Sequence, residues 1–63
     1  MNYAEAIKAL RKKMLITQTE LATIIGVAFV SVNRWENGAY EPTMKAKRKL
    51  AQLFSKYDIC LEE

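Results

Sequence analysis

Apolar positions along this chain recur with a helical period, and no segment alternates in the manner of a strand. Asn2 followed by Glu5 reads as an N-cap with its capping-box partner. Behind them Ile7, Leu10 and Met14 repeat at i, i+3 and i+7 on one face. A second helix opens at Thr17, where Thr17 and Glu20 form T-x-x-E ahead of an apolar run. Leu21 and Ile25 make its inner face with Ala22 beside them, and Gly26 stands where a left-handed C-cap wants glycine. The third helix is expected from Ala28 to Glu36 and stops at the turn signal Asn37-Gly38. Residues 39–42 form a loop. Thr43 caps a fourth helix with Leu50, Leu53, Phe54 and Tyr57 inward and Lys45, Lys47, Arg48 and Lys49 outward.

The third helix carries more apolar residues than docking requires. Val32 and Trp35, at i and i+3, are enough to seat it on a core. Phe29 and Val30 then point elsewhere, beside Asn33 and Arg34. In the first helix, Arg11 sits at the edge of the apolar stripe, where a charge should have a partner.

Sixty-three residues make one small domain, spanning 1–63, near the lower limit for folding on hydrophobic burial alone. With one cysteine and no histidine, an internal disulfide is excluded, and neither a zinc site nor a triad-type hydrolase is expected. Nothing suggests an enzyme, a metal or a cofactor, and nothing activates Cys60. The longest apolar run, residues 24–30, falls far short of the roughly 20 residues a membrane-spanning helix needs. A cytoplasmic location is expected. Net charge is +3, but residues 1–57 hold all ten bases against four of the seven acids, a balance of +6. That favours a polyanionic partner, against the plainer reading of lysine-rich wet helix faces.

Two short helices joined at Gly26 suggest a helix-turn-helix over about residues 17–36. Leu21, Ala22, Ile25, Gly26, Val32 and Trp35 supply its core. In "IKALRKK" (7–13), "TQTELATIIGV" (17–27), "NRWENG" (33–38), Pro42 and "KLAQLF" (49–54), the chain resembles the Cro/phage-repressor, xenobiotic-response-element-type family of bacterial and phage regulators. The resemblance covers roughly residues 5 to 55. It implies an all-α, compact four- to five-helix bundle of the lambda-repressor-like kind whose third helix lies in the major groove of double-stranded DNA. Ala28, Phe29, Val30, Asn33 and Arg34 match its base readers. Gln18 and Asn37 match positions on the phosphate backbone, a role that a helix N-terminus favours in any case, and Thr17, Ser31 and, from the basic face of the fourth helix, Lys45 are expected on phosphate beside them. Arg11 matches an arginine that pairs with the glutamate of "WENG", here Glu36. A dimer through the C-terminal region on an inverted-repeat operator is the family's habit.

The chain departs from the pattern in three places. Ala28 stands where a hydroxyl residue usually caps the third helix, and Leu15 where glycine is common. After an extended fourth helix, "DICLEE" (58–63) resembles the start of a fifth. Either that helix is absent or the chain is a piece of a longer protein, the second being the favoured reading. At readout positions Phe29 and Val30 cannot hydrogen-bond to bases, but they can pack on thymine methyl groups. Arg34 suits guanine or a phosphate, and Asn33 adenine. The rival reading is a protein-interaction module that docks Phe29 and Val30 on a toxin, a polymerase subunit or a second copy.

Overall fold

The structure, a computed structural model, describes residues 2–61. Four helices follow in order: α1 (Tyr3–Met14), α2 (Gln18–Ile25), α3 (Phe29–Glu36) and α4 (Met44–Lys56). No strand occurs among the described residues. Asn2 and Thr17 each close a reciprocal capping box, with Glu5 and Glu20, and the Thr43 hydroxyl accepts from the Ala46 N–H. Each cap satisfies a helix-end donor that would otherwise lack a partner.

Helix α1 ends on Leu15 at φ 58°, ψ 47°, the left-handed conformation that glycine adopts without strain. Its N–H reaches the Arg11 and Lys12 carbonyls. Helix α2 ends on Gly26 at φ 87°, also left-handed. Gly26 is exposed, so it belongs to the turn and not to the buried core in which the sequence reading grouped it. Its missing Cβ matters for the backbone, not for packing.

The core gathers one stripe from every helix: Ala6, Ile7 and Leu10; Leu21, Ala22 and Ile25; Val32 and Trp35; Ala46, Leu50 and Phe54. Helix α3 packs on both α1 and α2, and α4 closes the bundle against the same two helices. The apolar stripes of α1 and α4 also meet at their ends, where the rings of Tyr3 and Phe54 lie 6.5 Å apart.

The start of a fifth helix does not form at Asp58 to Leu61. Asp58 turns left-handed (φ 60°), and the Ile59 N–H returns 2.8 Å to the Phe54 carbonyl, which terminates α4. Ile59 and Leu61 then lie against the core as non-helical chain. Glu62 and Glu63, the rest of that expected helix, lie outside the described residues.

Candidate nucleic-acid interface

At 100° per residue, Phe29, Asn33, Val30 and Arg34 fall within an arc of about 140° on α3. Val32 and Trp35 occupy the opposite side, and Glu36 borders the arc next to Phe29; all three are buried. Phe29 is 50 % exposed and Val30 46 %, so the arc presents two apolar side chains to solvent. Ala28, also exposed, precedes them as an N-cap (φ −73°, ψ 150°) with no side-chain hydrogen bond. Helix α3 therefore offers an N-terminus with no capping side chain, next to its apolar pair.

One flank of this arc is fixed by a chain of side-chain hydrogen bonds running through three helices. The Arg11 guanidinium grips Glu36 with two bonds, Nε to Oε2 at 2.5 Å and Nη2 to Oε1 at 2.8 Å. Gln18 Nε2 donates to Glu36 Oε1 at 3.1 Å, and Asn33 Nδ2 donates to Gln18 Oε1 at 3.2 Å. Asn37 Nδ2 donates to Asn33 Oδ1 at 2.9 Å. Gln18 and Asn33 each both give and receive, so each fixes the orientation of its neighbour, and Asn37 ends the chain as a donor. Glu36 is 4 % exposed. Burial pushes its carboxyl pKa up, but the hydrogen bonds from Arg11 and Gln18 and the charges of Arg11 and Lys8 outweigh this and hold it below the ordinary carboxylate range. The same bond to Glu36 raises the Arg11 pKa, against the effect of burial. No buried side-chain nitrogen or oxygen is left unpaired among the described residues.

The other flank belongs to Arg34. Its Cζ lies 5.3 Å from the centre of the Tyr40 ring, and Ser31, Trp35 and Glu41 complete a small recess around the pair. At the near end of α2 the Thr17 hydroxyl accepts from the Glu20 N–H at 3.1 Å, which leaves its own O–H to donate outward. Gln18, Asn33 and Asn37 are thus brought together, and Phe29, Val30 and Arg34 share their face. Lys45 stands apart on α4, exposed and without a hydrogen bond to any of them.

The outward basic row of α4 is divided. Lys47 pairs with Glu41 at 3.1 Å and lies 5.0 Å from the centre of the Tyr3 ring. Lys49 Nζ donates to the Ile25 carbonyl at 2.9 Å, placing a cation on the negative end of α2. Neither contact was visible from helical spacing, because Lys49 and Ile25 are 24 residues apart. Tyr40 was missed for a similar reason: the Gly38 turn separates it from Arg34, so no period links them. Among the described residues no cluster suits a metal ion, and no helix is long and apolar enough to cross a membrane.

Residues 7–59 match a family model described as helix-turn-helix. Among solved structures, the chain is similar to the DNA-binding domain (1–76) of the P22 C2 repressor, determined in solution by nuclear magnetic resonance. The TM-score is 0.77 at 31 % sequence identity, over 87 % of this chain and 72 % of that one. No curated protein sequence matches significantly.

Proposed function

Because the chain belongs to the Cro/C1-type helix-turn-helix family, we propose that it is a DNA-binding transcriptional regulator that reads double-stranded DNA with α3 in the major groove. It acts in the cytoplasm as a repressor, occluding the promoter that it covers. The observation that carries this reading is the outward Phe29–Val30 pair on α3, flanked by a fixed amide row on one side and a cation on the other. Phe29 and Val30 pack on thymine methyl groups, with Ala28 leaving room for their approach. Asn33 keeps one N–H and one lone pair free beyond its bonds to Gln18 and Asn37, the two groups that adenine requires. Thr17, Gln18, Ser31, Asn37 and Lys45 bind phosphates. Two copies, joined through the C-terminal region, occupy the half-sites of an inverted repeat about one helical turn apart.

The test is selection from a random duplex DNA library at physiological salt. Enrichment of an inverted repeat with thymine-rich half-sites is the expected result. A single enriched half-site would remove the dimer and keep the reader. The exposed pair also supports a second reading, an apolar dock for another protein. Salt separates them: phosphate binding weakens steeply as salt rises, whereas an apolar contact does not.

A further inference from the structure

Arg34 is held by a ring that no helical spacing connects to it, and the loop bearing that ring is itself fixed. The Gly38 N–H donates to the Trp35 carbonyl at 3.2 Å, and the Ala39 N–H to the Arg34 carbonyl at 3.0 Å. Gly38, at φ +77°, reverses the chain with open space around the missing Cβ. Two residues beyond Tyr40, Pro42 is buried, and Glu41 is tied to Lys47. The backbone that bears Tyr40 is therefore anchored on both sides, while the ring of this residue, 62 % exposed, meets the guanidinium.

We infer that Tyr40 is a specificity-determining positioning residue: it stacks on Arg34 so that the guanidinium edge takes the O6 and N7 of one guanine in each half-site. The inference rests on the DNA-binding reading above and adds the base that Arg34 recognises. An arginine is a long, flexible side chain, and bidentate recognition needs its plane fixed. A ring on one face fixes that plane and leaves the N–H edge free. Electrostatics separates guanine from the rival target, a phosphate. The Glu41 carboxylate, paired with Lys47, lines the same recess, so a phosphate approaching Arg34 there lies beside a like charge. The guanine edge offers the same two acceptors with no net charge.

Library selection with the intact chain comes first, followed by competition between duplexes carrying guanine or adenine at each enriched position. Tyr40→Ala is expected to lower the guanine preference at one position by about two- to fivefold, the size of an exposed cation–aromatic contact. The thymine preferences and the salt dependence should stay as they were, which a general loss of folding would not allow. Tyr40→Phe should restore the guanine preference, because the ring and not the hydroxyl carries the effect. In an Arg34→Ala background, Tyr40→Ala should change nothing further. An unchanged guanine preference in Tyr40→Ala overturns the inference, as does an effect that persists without Arg34 or an enriched site with no Arg34-dependent guanine. Failure of the unaltered chain to enrich any sequence would instead overturn the DNA-binding reading, and the inference with it.

Discussion

Leu15 occupies the left-handed region with a side chain that is 89 % exposed. A Cβ in that conformation crowds the following carbonyl and costs of order 1–2 kcal/mol. Because the side chain is solvated, removing it forfeits almost no burial. Glycine would relieve the strain, partly offset by the greater freedom it gives the unfolded chain, about 0.5–1 kcal/mol. Leu15→Gly should therefore stabilise the domain by about 0.5–1 kcal/mol, raising the thermal midpoint by roughly 3–6 °C for a chain of this size. A lowered midpoint would mean that Leu15 contributes contacts in solution that outweigh its backbone strain.

The helices differ in how well their first turns are closed. Asn2, Thr17 and Thr43 each give α1, α2 and α4 a side-chain acceptor, while Ala28 gives α3 none, though its backbone already has the extended conformation a cap requires. Ala28→Ser should add about 1 kcal/mol, seen as a higher urea midpoint at an unchanged slope. A shift near zero would mean that water already satisfies those N–H groups. The same contrast shows what was legible in advance. Each of these caps, and the left-handed stop at Gly26, depends on residues within a few positions of one another, so type and spacing suffice; the stop at Leu15 was marked only by the family resemblance, because leucine itself disfavours that conformation. The Phe29–Val30 face was legible too, since Val32 and Trp35 fix which side of α3 is inward. What spacing alone left open is non-local: the partner of Arg11, supplied only by the family resemblance, the amide chain from Gln18 to Asn33 and Asn37, the Lys49 cap on α2, and the ring beside Arg34. Those contacts depend on how the helices cross, which no single helix encodes. The choice between four and five helices was open in the sequence, and among the described residues the chain from Asp58 to Leu61 is not helical, because the Asp58 turn sends Ile59 and Leu61 onto the core.

For the molecule as a whole, the Arg11–Glu36 pair is the polar counterpart of the core, because it ties α1 to the end of α3 and, through Gln18, to the start of α2. A domain of this size draws only about 3–5 kcal/mol from its core. Removing one side of a buried pair costs about 3 kcal/mol or more, so Arg11→Ala should leave the fold barely stable at neutral pH. The sign of its pH dependence follows from Glu36. The folded carboxyl titrates below its unfolded value, so the pair contributes fully above the unfolded pKa, about 4.3. That contribution is lost as pH falls through the folded pKa. Arg11 stays charged throughout this window and adds no slope of its own. Without Arg11, the largest opposing force to burial is gone and the Glu36 pKa rises, so lowering the pH relieves the variant before it weakens the parent. The stability gap between the two should accordingly narrow as pH is lowered from about 7 to about 4, read from urea midpoints at each pH. A gap that stays constant over that range would mean that Glu36 reaches water once its partner is removed. The pair would then orient α3 without being a principal source of stability.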